Sequence, residues 1–317
     1  MMMVAVLGAV AAVMGAGDED VRGLEDIHLR DPFILPVAEE GKYYVFGTIC
    51  LIPPGPGFDC FVSEDLRAWK GPFKAFRPPE GFWSDRDYWA PEVHAYKGRY
   101  YMFASFKAEG VCRGTQILVS DAPSGPYRPH SNGPVTPREW ESLDGTLFVD
   151  DDGAPWMVFC HEWVQTEDGK MCAVRLTPEL DAPVGDPILL FKASEAPWQT
   201  SQFQIPNSDK RTGRVTDGPF MHRAADGTLL MIWSSFGMGR YKVGTARSET
   251  GEIGGPWRQD SEPIFSDNGG HGMLFRTFEG QLMLCLHQPN SAPKERPRLF
   301  TVREEDGGLT LKAWPEE

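Results

Sequence analysis

The segment DGTLLMIWSS, residues 226–235, joins a turn dipeptide to a run of large apolar residues. Asp-Gly favours a tight turn, and the apolar run that follows is typical of a β-strand. Four other segments have the same form: GKYYVFGT (41–48), KGRYYMFAS (97–105), DGAPWMVFC (152–160) and EGQLMLCLHQ (279–288). The chain therefore contains five copies of one strand pattern.

Each copy is the middle member of a three-strand unit. The preceding strands are DPFILPV (31–37), APEVHAY (90–96), DGTLFVD (144–150), DGPFMHR (217–223) and GHGMLFRT (270–277), and a third strand follows each copy. The copies start about 50 to 75 residues apart. Repeated antiparallel units of this size, each too small to bury its own faces, are typical of a β-propeller, whereas a β-sandwich would not explain the recurring order. We predict an all-β fold, a five-bladed β-propeller forming one domain over residues 24–313.

Composition excludes several classes of partner. The net charge of −14 over 317 residues argues against nucleic acid, and no run of Lys and Arg offsets it. The six cysteines are scattered without a CxxC pair, which argues against zinc or redox chemistry. Beyond the first 17 residues no segment approaches membrane-spanning length. Oligomeric state is not determined by these features.

The N-terminus begins with an uncharged apolar run that ends near Gly17. Its length suits the apolar region of a signal peptide, and small residues at 15–17 offer a cleavage site, but a basic leading region is missing. Residues 1–17 are therefore expected to be either a signal peptide or a disordered start. The first alternative places the protein outside the cell or in the periplasm, the second in the cytoplasm.

The propeller gives the starts of the first strands a special meaning. In this fold the first strand of each blade lines the central channel, so residues that open these strands converge at one mouth. Comparison of the five units places four acids and a histidine there: Asp31, Glu92, Asp144, Asp217 and His271. Crowded carboxylates repel one another and raise at least one pKa, an arrangement suited to general acid/base catalysis.

Five segments in order also resemble a known family. RDPFI (30–34), WAPEVH (89–94), SLDGTLFVDDDG (142–153), TDGPF (216–220) and GGHGMLF (269–275) are similar to the signature of glycoside hydrolase family 43. The resemblance runs through all five blades. It implies a five-bladed propeller that removes arabinose or xylose units, or in some members galactose, from plant polysaccharides, as an α-L-arabinofuranosidase or β-xylosidase.

The resemblance also implies roles for single residues. Asp31 corresponds to the general base that activates water, Asp144 to the residue that orients the acid and keeps its pKa raised, and Asp217 to the acid of an inverting mechanism. His271 matches a histidine that faces a calcium or water site in the channel of many members. Calcium is therefore the one cofactor that the resemblance suggests.

One residue departs from the family pattern, because the family acid is usually a glutamate in a Glu-Gly-Pro setting. Aspartate is one methylene shorter, and three alternatives follow. Asp217 serves as the acid of a divergent subgroup, Glu162 in FCHEWVQ supplies the proton instead, or the site binds sugar without hydrolysing it. The last alternative predicts a carbohydrate-binding propeller with an impaired site.

Further residues are candidates for sugar contact. Trp83, Trp89 and Trp163 are expected near the channel mouth, where they would stack on sugar rings or pack between blades. Arg296, in KERPRLF, would direct a guanidinium toward the carboxylates or sugar hydroxyls, or lie on a solvated strand edge.

Overall fold

The computed structural model of the protein describes residues 21–49, 56–305 and 307–315. These residues form five antiparallel sheets of four or five strands arranged as a five-bladed β-propeller, which confirms the predicted fold class. The predicted signal peptide or disordered start, residues 1–17, lies outside the described residues. Within the described ranges, no helix is both long and apolar enough to cross a membrane.

The blades follow one another along the chain. Blade 1 contains β1 (Val21–Arg22), β2 (Leu29–Val37), β3 (Lys42–Ile49), β4 (Phe58–Ser63) and β5 (Trp69–Phe76). Blade 2 contains β6 (Arg86–Tyr96), β7 (Arg99–Ala108), β8 (Val111–Ser120) and β9 (Arg128–Pro129). Blade 3 contains β10 (Ser142–Val149), β11 (Pro155–His161), β12 (Lys170–Leu176) and β13 (Pro183–Lys192).

After blade 3, a two-stranded sheet pairs β14 (Phe203–Gln204) with β15 (Thr212–Gly213). Blade 4 contains β16 (Asp217–Arg223), β17 (Leu229–Gly237), β18 (Arg240–Ser248) and β19 (Trp257–Gln259). Blade 5 contains β20 (Gly270–Arg276), β21 (Leu282–Gln288), β22 (Arg296–Glu305) and β23 (Gly308–Trp314). The described helical turns are short: 3₁₀ turns at Leu24–Asp26 and Ala193–Glu195, and the α-helix α1 (Trp163–Thr166).

The apolar runs that identified the repeats form the second strand of each blade. Both faces of such a strand pack against a neighbouring blade, so every side chain from Leu229 to Ser235 in β17 is buried. Trp233 is fully buried and packs in one cluster with Met171 and Phe191 of blade 3. Each large side chain buried in this way contributes about 1.5–3 kcal/mol, so stability lies mainly between the blades.

Every inner strand carries a bulge near its start. The register with the second strand shifts there, and the residue at the equivalent position of each bulge has a positive φ: Asp31 (52°), Ala90 (45°), Asp144 (57°), Gly218 (47°) and His271 (50°). Left-handed backbone is costly for residues with a Cβ, yet four of the five have one. At Gly218 a Cβ would lie 2.7 Å from the His271 ring, so glycine is required there.

This register corrects two sequence-based assignments. Glu92 does not open the channel with the other acids, because the equivalent position is Ala90. Glu92 lies two residues further along β6, with His94 at 3.3 Å. Asp217 lies one residue before the equivalent position, which Gly218 occupies. The bulge adds a residue that the strand pattern does not reveal.

The bulges also join the blades. In four of the five blades, the N–H of the bulge residue with positive φ is donated to a side chain on the second strand of the preceding blade. The acceptors are Thr48 for Ala90 (2.8 Å), Ser105 for Asp144 (2.9 Å), Ser234 for His271 (2.8 Å) and His287 for Asp31 (3.2 Å). The corresponding position in blade 3 is Cys160, and the Gly218 N–H is donated instead to Asp144 Oδ2 at 3.0 Å.

The ring closes where blade 5 meets blade 1. Besides the bond from Asp31 to His287, Arg30 Nη1 donates to Asn290 Oδ1 at 2.6 Å. The Phe278 N–H donates to the Tyr43 hydroxyl at 2.9 Å. Blade 5 is built entirely from C-terminal strands, so these side-chain contacts, rather than a shared sheet, hold the ring shut.

Candidate active site

A cavity of about 580 Å³ opens where the inner strands begin. Asp31, Asp144 and Asp217 line it together with Trp89, Trp163 and Glu162. Six of the ten residues singled out from the sequence thus line one cavity. His271 lies at its base, against the three carboxylates.

His271 is the centre of the cluster. Its Nδ1 lies 3.2 Å from Asp31 Oδ1, 3.5 Å from Asp217 Oδ1 and 3.8 Å from Asp144 Oδ2. Burial alone would lower the pKa of His271, but the charges of Asp31 and Asp144 and the hydrogen bonds to Asp217 and Asp31 raise this pKa well above its ordinary value. The ring is therefore a buried cation that balances the acids.

Asp31 is held in its ionised form. Burial favours a higher pKa, but the nearby His271 and the adjacent Arg30 outweigh it and hold the pKa of Asp31 below its usual range. Arg30 Nε lies 3.3 Å from Asp31 Oδ1, and the Thr48 hydroxyl donates to Oδ2 at 2.8 Å. A carboxylate fixed in this way has an acceptor ready for a proton.

Asp144 and Asp217 titrate together. Burial and the neighbouring charge of Asp217 raise the pKa of Asp144 well above its ordinary value. Burial acts on Asp217 in the same direction, but hydrogen bonds from Asp144 and His271 and the charges of His271 and Arg30 hold its pKa below its usual range. The Tyr241 hydroxyl adds a hydrogen bond to Asp217 Oδ2 at 2.5 Å. The pair therefore titrates as a unit, and its surroundings favour the proton on Asp144 over Asp217.

The two carboxylates differ in access to the cavity. The side chain of Asp217 is 18% exposed, against 4% for Asp144 and 7% for Asp31. Asp31 Oδ1 and Asp217 Oδ1 lie 3.2 and 3.5 Å from the same nitrogen, so these two oxygens are at most about 7 Å apart.

Glu162 lines the same cavity as the acid pair and immediately precedes α1. It is 5% exposed and hydrogen-bonded to Arg113 Nη1. Burial raises the pKa of Glu162, against the opposing charge of Arg113. Arg113 also bonds Asp87 at 2.8 Å, and its guanidinium lies 4.2 Å from the Trp89 ring centre. Glu162 is thus a buried carboxyl with a fixed cationic partner.

Arg296 does not reach this cavity. Its guanidinium bonds the Glu25 carbonyl at 2.8 Å and contacts His28 Nε2 at 2.8 Å, on the seam between blade 5 and the N-terminal segment. The prediction that Arg296 contacts the sugar is therefore wrong for this structure. β22 starts at the ring closure, so its first side chain turns toward the seam, and Arg30 is the arginine that lines the cavity.

Three residues of the site were missed from the sequence. Arg30 stands inside the RDPFI segment, and its position next to Asp31 is a signal that could have identified it. Arg113 and Tyr241 lie near the starts of β8 and β18, the third strands of blades 2 and 4, and no local pattern distinguishes them. Their contacts come from neighbouring strands and blades, which a strand pattern does not encode.

The channel histidine also bears on the calcium ion that the resemblance implies. Asp144, Asp217 and His271 each offer one ligand atom, and these atoms lie within 4.8 Å of one another. Calcium takes six to eight oxygen ligands, and His271 is itself a cation facing the same carboxylates, so this cluster does not fit directly bound calcium. The His271 Nε2 is buried without a hydrogen-bond partner among the described residues, which fits a water molecule there.

Residues 26–305 match the family model described as Glycosyl hydrolases family 43. A solved endo-arabinase structure from Bacteroides thetaiotaomicron is 44% identical, with a TM-score of 0.84, over 90% of this chain and 98% of that chain. An extracellular exo-α-(1→5)-L-arabinofuranosidase of Cellvibrio japonicus is 24% identical over 334 residues, 93% of this chain and 87% of that protein. An extracellular endo-α-(1→5)-L-arabinanase of Bacillus subtilis is 24% identical over 275 residues, 83% and 75% of the two chains.

Proposed function

This chain belongs to family 43 of the glycosyl hydrolases, and we propose that it cleaves arabinose- or xylose-containing polysaccharides with inversion at the anomeric carbon. One observation supports the chemistry above all. An ionised Asp31 and the coupled carboxyl pair of Asp144 and Asp217 line the same cavity, so a base and an acid are available there together.

Asp31 is the proposed general base. Its carboxylate accepts a proton from a water molecule, and that water attacks the anomeric carbon from the face opposite the leaving group. His271, Arg30 and Thr48 hold the carboxylate in place and in its charged form. This role requires the pKa of Asp31 to stay low in the resting enzyme, which its surroundings favour.

Asp217 is the proposed contact with the glycosidic oxygen, and Asp144 is its proton store. Asp144 first passes its proton to Asp217, and Asp217 then donates that proton to the departing oxygen as the bond to the leaving group breaks, which leaves both carboxyl groups ionised. The greater exposure of Asp217 supports this order. This order also explains how an aspartate can stand where the family usually has a glutamate. Asp217 receives its proton from Asp144 and so does not need a raised pKa of its own.

Arabinan is the substrate that we put first. The relative with 44% identity is named an endo-arabinase, and two curated relatives are named for α-(1→5)-linked arabinose units. Xylan and galactose-containing glycans are the other candidates. In this proposal Trp89 and Trp163 offer apolar ring faces to the sugar, and Glu162 accepts hydrogen bonds that the sugar hydroxyls donate.

Assays on aryl glycosides and polymers test the proposal. Wild-type protein should release 4-nitrophenol from the α-L-arabinofuranoside or β-xyloside, or reducing sugar from debranched arabinan or xylan. Proton NMR of the first product formed should show the inverted anomer. A retained anomer would contradict the roles of Asp31 and Asp217.

The second candidate is a carbohydrate-binding propeller with an impaired site. It is favoured by the aspartate at 217, where the family usually has glutamate, and by the low pKa of that aspartate. Absence of release from the arabinofuranoside, xyloside, galactoside and polymer panel, together with measurable binding to arabinan, would establish this function instead.

We also propose that the protein is exported. Two curated relatives are named extracellular enzymes. Cell fractionation of the native host tests this, and recovery of the protein only with cytoplasmic markers would oppose it.

A further inference from the structure

A second cavity of about 550 Å³ lies beside the catalytic one. It is bounded by residues 79–83 and 129–138, which lead into the inner strands of blades 2 and 3, and by the start of β8. Segments that lead into inner strands lie at the mouth where those strands begin. The second cavity therefore opens on the same face as Asp31 and Asp144.

One side chain separates the two cavities. Arg113 lines the second cavity, while two of its partners, Glu162 and Trp89, line the catalytic cavity. Only 8% of Arg113 is exposed, and its Nε is buried with no hydrogen-bond partner in the described part of the chain. A buried guanidinium N–H without an acceptor is costly, and a ligand oxygen that meets this N–H after a small movement of the Arg113 side chain would remove that cost.

The aromatic wall of the second cavity is formed by Phe82 and Trp83. The Trp83 indole N–H is donated to Gln116 Oε1 at 2.6 Å, and the Gln116 amide donates in turn to the Ser131 carbonyl at 2.9 Å. These bonds fix the indole orientation and use its polar atom. The ring is half-buried, so its remaining surface is apolar and rigid.

The charges indicate a neutral ligand. Arg113 already faces the carboxylates of Asp87 and Glu162, so its charge is balanced before any ligand binds. A fixed aromatic ring, an amide and one free N–H are the features of a site that binds an uncharged polyhydroxylated molecule. The other charged residues that line the second cavity, Glu80 and Arg138, are exposed and carry opposite charges, so the lining offers an anionic sugar no net positive charge.

We propose that the second cavity is a distal subsite for the same polysaccharide chain, with units remote from the cleaved bond stacked on Trp83 and hydrogen-bonded to Arg113. The proposal rests on the proposed function, because it assumes that the catalytic cavity holds the chain. Its consequence is a preference for substrates long enough to pass Arg113. Binding energy gained there favours polymer over short substrates.

The test compares substrates of different length. In Trp83→Ala, the ratio of kcat/KM for a long arabino-oligosaccharide to kcat/KM for the aryl monoglycoside should fall about tenfold, the loss expected for one aromatic contact. Trp83→Phe keeps a ring and should recover most of the ratio. Trp314→Ala, which removes a half-buried indole on the outer strand of blade 5, is the matched control and should leave the ratio at the wild-type value.

Binding separates this proposal from the proposed function. Calorimetry with debranched arabinan on the full chain carrying Asp31→Asn should show weaker binding when Trp83→Ala is added. If the wild type hydrolyses nothing but Trp83→Ala still weakens arabinan binding, the proposed function fails and the subsite stands. Equal ratios and equal affinities for Trp83→Ala and Trp314→Ala would overturn the subsite.

Discussion

Replacing Asp217 by asparagine removes a proton donor while keeping the size of the side chain. The carboxylate accepts from Tyr241 at 2.5 Å and faces His271 at 3.5 Å, and an amide oxygen can keep one of these contacts. The fold should therefore survive, while the route from Asp144 to the leaving oxygen is cut. A positioned acid contributes about 10²–10⁴-fold, so hydrolysis of arabino-oligosaccharides should fall by that factor.

The leaving group shows whether the lost step is protonation. 4-Nitrophenol departs readily without a proton, so Asp217→Asn should affect kcat for 4-nitrophenyl arabinofuranoside far less than kcat for an alkyl glycoside or oligosaccharide. Glu162→Gln is the matched control, because Glu162 is a carboxyl in the same cavity. It should weaken both substrate types to a similar extent.

The opposite pattern would refute this reasoning. If Glu162→Gln shows the leaving-group-dependent loss and Asp217→Asn does not, Glu162 is the acid. The raised pKa of Glu162 would then keep this carboxyl protonated for transfer to the leaving oxygen.

Three further predictions concern the residues around the acid pair. Asp31→Asn should reduce kcat on every substrate by about 10²–10⁴-fold while arabinan affinity in calorimetry stays near the wild-type value; full activity would exclude Asp31 as the base. His271→Gln removes the cation that lowers the pKa of Asp31. Because a base must be ionised to act, the acidic limb of the kcat/KM profile should move to higher pH. A limb that does not move would contradict the electrostatic role of His271. Cys160→Ser offers a hydroxyl to the Gly218 N–H and so frees Asp144 Oδ2 from a hydrogen bond of about 1 kcal/mol. Loss of this bond should raise the pKa of the Asp144–Asp217 pair and move the basic limb of the kcat/KM profile to higher pH. A shift to lower pH would show that the bond does not stabilise the ionised pair.

The repeat pattern predicts the blades because their second strands are buried on both faces, and such strands are apolar without interruption. The same pattern cannot give the register of the inner strands. Each bulge inserts a residue without changing the apolar run, so Asp217 and Asp144 seem equivalent in sequence but differ by one position in the fold. Glu92 was assigned to the mouth for the same reason. Convergence of the three aspartates is predictable, while their hydrogen bonds are not.

Contacts between blades are also beyond sequence patterns. The bond from Arg113 to Glu162 joins residues 49 positions apart on two blades. Neither residue type nor spacing marks them as partners. The misassignment of Arg296 has the same origin, because its neighbours at the ring closure come from the other end of the chain.

The side-chain contacts that join blade 5 to blade 1 make catalytic activity sensitive to heating, because they include the proposed base. Arg30 and Asp31 hold this joint through Asn290 and His287, and Asp31 is also the proposed base. Partial separation of the two blades would cost only local contacts, far less than global unfolding. Such an opening would displace the base while leaving most strands paired, so catalytic activity is expected to decline at lower temperature than the circular dichroism signal of the sheets.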